Sequence, residues 1–542
     1  MDTLGLRIPL TDFVIIVAYL VGILAVGVLS VRRQKMTGEA YFLAGRSLGW
    51  GMIGAALFAS NISTIHLVGL AASGYGDGLV WGNFEWMAAF TLVILSLFFA
   101  PFYFRNKIET LPEYLERRFN SVARSFLAFM AILGALFIHI GMSLYAGATV
   151  FEQFFGIDVV TSILIISLVT GIYTVLGGLK AVVVTETIQT VLLIGGSVLV
   201  TYLAFAALPE HGIGTVAEFE AELRDPRQLS MVWTDNSVGL AWYSVLLGYP
   251  VLGIWYWCTD QTIVQRVLAA RSEHDAQIGP LFAGFIKVLP VFILVMPGIA
   301  GYVLYGDRIG DNANQVLPML IQELVPTGLR GLISAGLLAA LMSTIAAALN
   351  SCATLFAVDI VARVRPGTSD AAQVRIGRWS AVVVMLLAML WSTQGDKFSS
   401  IFEAVQEIGS ALAPAITTVF LWGVFWRRGT AQAAVATLVC GFSMGATAFV
   451  LDFKDADGFK LITDGWGVPF MLQAFWMTVI CSAVFYLVSR VTPPPSAEQI
   501  EGLTWESPLR ALTKPWARPG VNPRRLAAVL CVTICALYWL FR

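Results

Sequence analysis

The chain of 542 residues is too apolar for a water-soluble protein, since 57% of its residues are hydrophobic and only 13% are charged, whereas about 25% of the residues of a soluble domain are charged. Its formal net charge is −1, and no basic tract interleaved with aromatic residues occurs, so a nucleic-acid partner is not expected. Most of its surface is therefore predicted to face a lipid bilayer.

Apolar windows long enough to cross a membrane recur from end to end. A hydrocarbon core of about 30 Å needs a helix of about 20 residues, and these windows are too long and uniform for barrel strands. The sequence therefore predicts an all-α integral membrane fold of about fourteen transmembrane helices. The windows are 11–31, 48–73, 79–104, 121–153, 158–177, 180–208, 239–265, 279–305, 328–361, 376–394, 400–426, 430–451, 467–490 and 525–541.

The positions of the basic residues test this assignment. With fourteen spans, 24 of the 34 lysine and arginine residues lie on one side of the membrane and nine on the other, while Lys287 lies within a span. Because lysine and arginine are enriched in cytoplasmic loops, the richer side is predicted to be cytoplasmic and both termini extracellular. The short loops suit a multi-pass protein of the plasma membrane.

No independent catalytic domain is expected, because the longest polar segments, 209–238 and 491–524, are too short for one. Segment 491–524 is rich in proline and indicates a cytoplasmic linker. The sequence has neither metal-ligand spacing among its histidines, cysteines and carboxylates nor a phosphate-binding glycine loop. We therefore expect neither an enzyme nor an ATP-driven pump.

Ionisable residues inside the predicted spans are functional candidates, since a charge in hydrocarbon costs at least about 2.5–3.5 kcal/mol. Glu85 and Lys287 each lie well inside an apolar window. They form either a salt bridge between helices or part of a wet cavity. In a cavity, a carboxylate and an ammonium group together offer acceptors and donors to a neutral, polyhydroxylated solute such as a sugar.

Two histidines also lie inside predicted spans. His66 stands alone on an apolar helix, and such a residue is more often a packing residue than a binding residue. His139 has no polar neighbours in the sequence and is interpreted as a packing residue as well.

Two windows contain helix-breaking residues at corresponding positions, five windows apart. The second contains Asn61 among several glycines, and the seventh contains Gly248, Pro250 and Gly253. Glycines in membrane helices often serve only close packing. A pair of interrupted helices in corresponding positions nevertheless indicates an inverted-repeat transporter whose site lies at the breaks.

Adjacent hydroxyl groups in the ninth window, Ser343 and Thr344, complete this pattern. Unwound carbonyl groups and hydroxyl groups together can bind sodium, a hard cation that prefers oxygen ligands. Ordinary hydrogen bonds from these hydroxyl groups to their own helix carbonyls explain the residues equally well, and both interpretations stay open at this point.

The same residues lie in motifs by which the chain resembles the sodium/solute symporter family, and within it the sodium/glucose cotransporter branch. The resemblance extends over about 12–430. Its motifs are FLAGRSLGWGMIGAALFASNIS (42–63), FEWM (84–87), TLPEYLERRF (110–119), YTVLGGLKAVVVTETIQT (173–190), WYWCTDQTIVQR (255–266), MSTIAAALNSCATLF (342–356) and FEAVQEIG (402–409).

The resemblance implies a LeuT-type core of ten helices, built from two inverted repeats of five helices each, with one leading helix and further helices behind the core. The implied division is 1–47 for the leading helix, 48–208 for the first repeat, 209–238 for an extracellular loop, 239–428 for the second repeat and 429–542 for the additional helices with the linker 491–524.

The resemblance also implies roles for individual residues. For the solute, the matching positions are Asn61, His66, Glu85, Trp257, Lys287 and Gln406, and this company reverses the packing interpretation of His66. The implied gates are Tyr256 on the inner side and Leu70, Phe84 and Phe402 on the outer side. The implied sodium site consists of the carbonyl groups of Ala59, Ile62 and Ala340 with the hydroxyl groups of Ser343 and Thr344.

Two departures from the family pattern affect these expectations. Gly253 stands where sugar-transporting relatives often carry a polar side chain, which leaves the identity of the sugar open. Relatives with a second sodium ion place an aspartate in the sixth window and hydroxyl groups a turn after the serine pair, where this chain has Glu186, Ala346 and Ala347. A single sodium per cycle is therefore expected, with Glu186 on the sodium exit route or, alternatively, as an interfacial carboxylate.

The sequence thus predicts a monomeric symporter that couples sodium influx to uptake of a neutral sugar. One alternative is a symporter of the same family for an inositol, proline, a carboxylate or sialic acid, although Glu85 argues against an anionic solute. A solute sensor or a sodium-leak channel on the same scaffold is the other alternative.

Overall fold

The computed structural model describes residues 9–32, 37–393, 401–452, 459–513 and 520–542, with the backbone alone for 153–155, 401–404 and 510. Within these ranges the chain forms helices, and extended pairing is limited to two isolated bridges. Helices prevail because a helix satisfies its own backbone hydrogen bonds where no water is present. The predicted all-α membrane fold is confirmed.

The main helices are numbered here in chain order. They are α1 (Leu10–Leu29), α2 (Trp50–Asn61), α3 (Thr64–Gly76), α4 (Asn83–Ile94), α5 (Ser121–Gly134), α6 (Val159–Ala207), α7 (Trp242–Ile254), α8 (Gln261–Leu268), α9 (Glu273–Ile286), α10 (Met296–Ile309), α11 (Val316–Leu324), α12 (Leu329–Thr354), α13 (Asp370–Ser392), α14 (Ile401–Phe425), α15 (Ala431–Leu451), α16 (Phe470–Val491) and α17 (Pro523–Leu540).

Shorter helical segments extend or join these helices. The π-helical segments are Leu95–Phe99, Ala135–Met142, Trp255–Thr259, Val291–Val295, Leu355–Val361 and Leu461–Gly465. The short α-helices are Gly38–Leu43, Ala100–Arg105, Leu111–Arg118, Ser143–Phe155, Val216–Ala221, Ala362–Val364 and Arg510–Thr513.

The predicted count of fourteen spans is not confirmed. Among the described residues, eleven helices are long and apolar enough to cross a membrane, or twelve if the bent pair α2 and α3 is one span. Three predicted windows account for the difference between fourteen and twelve. The windows 158–177 and 180–208 belong to the single long helix α6, and α7, in the window 239–265, has only 13 residues.

Helix α6 changes direction at Gly178, which divides it where the two predicted windows meet. Gly178 has φ +59° and ψ −157°, a conformation that an L side chain rarely adopts. A Cβ atom at this position would also lie 2.4 Å from the carbonyl oxygen of Tyr41. The kink therefore depends on glycine for both its backbone conformation and its close approach to Tyr41.

Helix α12 lies in the middle of the bundle, with 94% of its most apolar window buried, whereas only 22% is buried for α1 and α17. It packs against α6, while α9 packs against α2. The second predicted window is broken as expected, since α2 and α3 meet at 64° across Ile62 and Ser63. This break lies next to α12 and positions the site described below.

The second break is not where the sequence suggested. Helix α7 runs through Gly248, Pro250 and Gly253, continues as the π-helical segment Trp255–Thr259 and ends at Asp260, which has extended backbone angles. Proline inside a membrane helix is tolerated when neighbouring groups satisfy the freed backbone. Gly248 instead permits close packing, because its Cβ would lie 2.3 Å from the carbonyl oxygen of Met471 on α16.

Candidate functional site

A cavity of about 100 Å³ lies between the two broken helices. Its walls come from the α2–α3 break, the start of α4, the π-helical segment after α7, the end of α9 and α14. All six residues that the resemblance assigns to the solute line this deep cavity, namely Asn61, His66, Glu85, Trp257, Lys287 and Gln406.

The centre of the deep cavity is a hydrogen-bonded network around Lys287. The Lys287 ammonium group donates hydrogen bonds to the Glu85 carboxylate and to Asn61 Oδ1, and it lies 5.5 Å from the centre of the Trp257 ring. Asn61 Nδ2 donates in turn to Tyr256 Oη at 3.2 Å. The two predicted alternatives for Lys287 and Glu85 therefore coexist, since the residues form a salt bridge and also face the cavity.

This network combines charged donors and acceptors with an aromatic face. The Lys287 and Glu85 side chains are 1% and 2% exposed. In such a dry environment each hydrogen bond is stronger than in water, and each unsatisfied group is more costly. The arrangement suits a compact neutral molecule with several hydroxyl groups and an apolar face.

His66 lines the deep cavity and also belongs to the start of α3. Its Nδ1 atom lies 3.1 Å from Ser63 Oγ, and the two residues form a reciprocal cap of the helix. The cap fixes the imidazole ring beside the break.

The predicted gate residues occupy different surroundings. Phe84 and Tyr256 line the deep cavity. Leu70 is fully buried among apolar side chains and is absent from the cavity wall. The side chain of Phe402 lies outside the described residues.

The cavity wall also contains polar and aromatic residues that the sequence did not assign to the solute, among them His139, Ser143, Tyr249 and Trp255. The interpretation of His139 as a residue without polar neighbours is wrong, because its Nε2 atom lies 3.1 Å from Asp260 Oδ2. Asp260 is 121 residues away in the chain and follows the π-helical segment after α7. Asp260 lies close to His139 because the π-helical segment ends at Asp260. The composition of the sequence does not predict this helix end.

Five oxygen atoms gather between the α2–α3 break and α12. Ser343 Oγ donates to the carbonyl oxygens of Ala59 at 2.7 Å and Ala340 at 2.8 Å. Thr344 Oγ1 lies 3.2 Å from the carbonyl oxygen of Ser60 and 3.3 Å from that of Ala340. Hydrogen bonds within the helix alone would have given only the contacts to Ala340, so the contacts to α2 are additional.

The fifth residue of the predicted sodium set, Ile62, lies at the break itself with φ −79° and ψ 100°, so its carbonyl group is released from the helical pattern. Thr344 also lines the deep cavity. The oxygen cluster and the cavity therefore share the α2–α3 break and one hydroxyl group. The cluster offers neutral oxygen atoms, because its members are carbonyl and hydroxyl groups.

Glu186 lies directly behind the oxygen cluster. Its carboxylate accepts a hydrogen bond from Ser60 Oγ at 2.8 Å and forms an ion pair with Arg266 at 2.6 Å, with both charged side chains fully buried. Glu186 is therefore enclosed by protein rather than exposed on the surface of the helix bundle. The Glu186–Arg266 ion pair connects α6 to α8. Its hydrogen-bond donor Ser60 directly follows Ala59 in the chain.

A second and larger cavity of about 1120 Å³, called the vestibule here, adjoins the deep cavity at Ile65, which lines both. Its walls include α3, the segments 236–239 and 312–315, and the segment that precedes α16. The vestibule carries Asp77, Trp81, Glu407 and Lys460 among its side chains.

Comparison with known proteins agrees with this geometry. The family model of the sodium:solute symporter family matches residues 41–441. The chain belongs to the sodium:solute symporter family. This symporter is 35% identical to the sodium/mannose cotransporter SLC5A10 of Bos taurus, with 93% of this chain and 90% of the relative covered.

Other relatives of this symporter carry different names. It is 33% identical to sodium/glucose cotransporter 1 of Oryctolagus cuniculus, over 91% of this chain and 81% of the relative. It is also 33% identical to sodium/myo-inositol cotransporter 2 of Homo sapiens, over 91% and 78%.

Solved structures show the fold. A Na⁺-coupled sialic acid symporter in its substrate-bound outward-open state aligns with a TM-score of 0.74 at 23% identity, covering 90% of this chain and 99% of that one. The nucleobase-cation-symport-1 family transporter Mhp1 aligns with a TM-score of 0.54 at 16% identity, covering 85% and 97%. This symporter has the LeuT-type fold predicted from its sequence.

Proposed function

We propose that this symporter couples sodium influx to uptake of a neutral sugar by alternating access. The observation that carries the proposal is the buried Lys287–Glu85 pair on the wall of the deep cavity. With Asn61, His66 and Gln406 it offers donors and acceptors to hydroxyl groups, while Trp257 covers the apolar face of the ring. Relatives named for mannose, glucose and myo-inositol support a polyhydroxylated solute.

In this proposal sodium binds at the α2–α3 break, and its ligands are the carbonyl oxygens of Ala59, Ile62 and Ala340 with the hydroxyl groups of Ser343 and Thr344. The hydroxyl groups of Ser343 and Thr344 donate to carbonyl oxygens, and they would turn their lone pairs toward the ion when it binds. Carbonyl and hydroxyl oxygens are suitable ligands for a hard cation, and unwound helix carbonyls coordinate sodium in transporters of this architecture.

We propose a single sodium ion per sugar. Ala346 and Ala347 offer no hydroxyl group a turn after Ser343, and the Glu186 carboxylate is engaged by Arg266 and Ser60. In its paired position Glu186 lies beside the proposed sodium exit route. A reversal-potential measurement tests the ratio, and a value of two sodium ions per sugar would exclude a single site.

Coupling follows from the shared α2–α3 break. Sodium bound at the break favours the conformation in which Asn61 and His66 face the solute, and each ligand shifts the equilibrium by its differential affinity for the two conformations. Phe84, Leu70 and Phe402 are the proposed outer gate and Tyr256 the inner gate. A negative-inside potential adds about 2.3 kcal/mol per charge per 100 mV.

The proposed orientation places both termini outside a plasma membrane, with inverted repeats at 48–208 and 239–428. Two contacts support the placement of both termini on one side of the membrane, and the distribution of basic residues supports the choice of the outer side. Asp12 at the start of α1 accepts hydrogen bonds from the backbone of Gly328 and Gly331, and the backbone of Met231 donates to the carbonyl oxygen of Phe541. The orientation assigns the chain ends and the segments that they contact to the same side.

Uptake into proteoliposomes tests the function. An inward sodium gradient should drive accumulation of labelled D-glucose or D-mannose, and an equal potassium gradient should not. Accumulation of proline or sialic acid without any sugar would contradict the proposal. Accumulation of myo-inositol alone would support the second candidate, an inositol symporter, which the inositol-transporting relatives favour.

A further inference from the structure

Helix α17 lies outside the predicted ten-helix core and beyond residue 441, where the match to the family model ends. Only 22% of its most apolar window is buried inside the protein, so most of its surface is predicted to face lipid. Its buried side nevertheless packs against α4 and α9, which bring Glu85 and Lys287 to the deep cavity. The contacts on this side therefore bear on the solute pocket.

The middle of α17 fits into the groove between α4 and α9. Leu530 of α17 is fully buried. A Cβ atom at Gly284 of α9 would lie 2.6 Å from Leu530 Cδ2 and 3.8 Å from the Cα atom of Ala89 on α4. The absence of a side chain at Gly284 thus lets the three helices meet at one point. Because packed interiors transmit strain, a displacement of α17 would be felt by both other helices.

A hydrogen bond joins the end of α17 to the start of α4. Tyr538 Oη donates to Asn83 Oδ1 at 2.7 Å, and Asn83 is 3% exposed and stands two residues before Glu85. The Asn83 amide group donates in turn to the carbonyl oxygens of Val80 at 2.7 Å and Met231 at 2.9 Å. Tyr538 therefore satisfies an oxygen atom of a buried amide, and it fixes the first turn of the helix that carries Glu85.

A second hydrogen bond accompanies the Lys287–Glu85 pair. Trp86 directly follows Glu85 on α4, and its side chain is fully buried. Its indole Nε1 donates to the carbonyl oxygen of Val288 at 3.2 Å, and Val288 directly follows Lys287. The two chain segments that carry the carboxylate and the ammonium group are thus joined twice, once by the ion pair itself and once by the neighbouring indole.

Aromatic rings at the end of α17 pack on this indole ring. The Tyr538 ring meets the Trp86 ring edge to face at 5.4 Å and 82°, and the ring of Phe541, which follows α17, lies 5.9 Å from Trp86. Phe292 of the π-helical segment after α9 completes the cluster, at 5.9 Å from Trp86 and 5.7 Å from Phe541. Because aromatic pairs prefer defined orientations, the cluster holds the indole in place.

We propose that α17 positions the Lys287–Glu85 pair for the sugar, with Tyr538 as the main positioning residue. The described wall of the deep cavity contains neither Tyr538 nor Asn83, so Tyr538 acts on the sugar only through Asn83 and Trp86. A pair that is held in place before the sugar arrives lowers the entropic cost of binding. This inference rests on the proposed function, because it concerns the geometry of the same solute pocket.

A purely structural role for α17 is the competing explanation, in which the helix only completes the bundle. Weakening a structural helix reduces the amount of folded transporter and therefore the maximal rate of uptake. Weakening a positioning helix instead raises the sugar concentration for half-maximal uptake, because each folded transporter binds sugar less tightly. The two explanations therefore differ in which kinetic constant changes.

Tyr538→Phe decides between them, because it keeps the ring on Trp86 and removes only the hydroxyl group that contacts Asn83. Uptake of labelled D-glucose and D-mannose into proteoliposomes is measured at saturating sodium and normalised to the inserted full chain. The sugar concentration for half-maximal uptake should rise about fivefold, the equivalent of one lost hydrogen bond. Maximal uptake, and half-saturation by sodium at saturating sugar, should change by less than about twofold.

Tyr486→Phe is the matched control for Tyr538→Phe. Tyr486 also lies on a helix outside the predicted core, α16, and its hydroxyl group accepts hydrogen bonds from Arg490 of the same helix at 3.1 Å and 2.8 Å. Its substitution removes a tyrosine hydroxyl group without touching α4 or α9. Half-saturation by sugar and by sodium should therefore both keep their wild-type values.

An unchanged half-saturation by sugar in Tyr538→Phe, or an equal weakening for sodium and sugar, would overturn the positioning role. If Tyr538→Phe does not fold, Phe541→Leu removes a ring from Trp86 and should raise half-saturation by sugar about threefold. An unchanged value in that variant would overturn the inference as well. Failure of the proposed function is a different result, since the wild type itself would then accumulate no sugar.

Discussion

Ion pairs of this symporter lie in opposite surroundings, one pair buried among the helices and two pairs exposed around Arg227. The Lys287–Glu85 pair lies among the membrane helices with side chains that are 1% and 2% exposed. Arg227, in the predicted extracellular segment, is 50% exposed and pairs with Asp225 and Asp235, which are 33% and 44% exposed. The comparison shows how burial, rather than the presence of an ion pair, decides what a substitution costs.

A buried pair loses far more when one partner is removed than an exposed pair does. The remaining charge stays in a dry environment and costs about 3–5 kcal/mol, whereas exposed pairs contribute about 0–1 kcal/mol. Substitutions in the buried pair should therefore cost far more than substitutions in the exposed pairs.

The largest effect is expected for Glu85→Gln, which leaves the Lys287 ammonium group without its carboxylate. Sodium-driven sugar uptake should fall at least about 100-fold, since about 3 kcal/mol already corresponds to that factor. Initial uptake rates in proteoliposomes, normalised to the amount of inserted protein, measure the loss. Wild-type uptake by this variant would mean that the buried pair is not needed for the solute.

Ser343→Ala should have the next largest effect. It removes the hydroxyl group that contacts the carbonyl oxygens of Ala59 and Ala340, and the sodium concentration for half-maximal uptake should rise about tenfold, the equivalent of about 1.4 kcal/mol. Maximal uptake at high sodium should be largely retained.

Ser380→Ala is the matched control for Ser343→Ala. Ser380 is also a buried serine, and it donates only to the carbonyl oxygen of Gly377 within its own helix α13. Its substitution should leave the sodium dependence unchanged. Equal behaviour of the two variants would assign Ser343 to ordinary hydrogen bonding within a helix.

Thr344→Val should affect two ligands at once, because Thr344 contacts the carbonyl oxygen of Ser60 and also lines the deep cavity. We expect about threefold weaker apparent affinity for both sodium and sugar, about 0.6 kcal/mol for each. Uptake titrations in either ligand measure the two changes. An effect on sodium alone would show that the hydroxyl group does not connect the sites.

The smallest effect is expected for Arg227→Ala, in the exposed pair. Uptake should change by less than about twofold, because solvent and salt screen this interaction. Hydrogen bonds from Arg227 hold the pKa of Asp225 below its usual range, and hydrogen bonds from Ser237 do the same for the pKa of Asp235. Because the pKa of each carboxyl group is lowered in the folded protein, its contribution to stability is complete at neutral pH. This contribution is lost only as the pH falls through the folded pKa.

The pH dependence follows from these directions. In the wild type, the segment 209–238 should resist proteolysis equally between about pH 8 and pH 5. It should loosen only below the unfolded aspartate pKa of about 3.9. Loosening near neutral pH would show that these carboxylates do not support the segment.

The sequence alone located the residues whose chemistry conflicts with their surroundings. Glu85 and Lys287 are conspicuous in apolar windows, and they meet in one cavity because α4 and α9 pack against each other. The break after Asn61 could be predicted as well, because polar and helix-breaking residues cluster there. These signals are local in the chain, and therefore composition reveals them.

The contacts that the sequence did not reveal join residues far apart in the chain. His139 and Asp260 meet across 121 positions, and Lys460 reaches Glu407 across 53, so neither contact has a local signal. Pro250 does not break α7, because neighbouring helices decide whether a membrane helix tolerates proline. The count of fourteen spans stays unconfirmed for a similar reason, since α6 passes through two windows as one kinked helix.

The adjacency of Gln406 and Glu407 on α14 has a consequence for altering selectivity. Successive residues of an α-helix project about 100° apart, so these two neighbours face different cavities without any change in the path of the helix. Exchanging the two side chains, with Gln406→Glu and Glu407→Gln, would bring a carboxylate into the deep cavity and an amide out of it, while the rest of α14 keeps its packing. A cationic solute such as an amino sugar would then suit the inner position, and no residue of the other helices would need replacement.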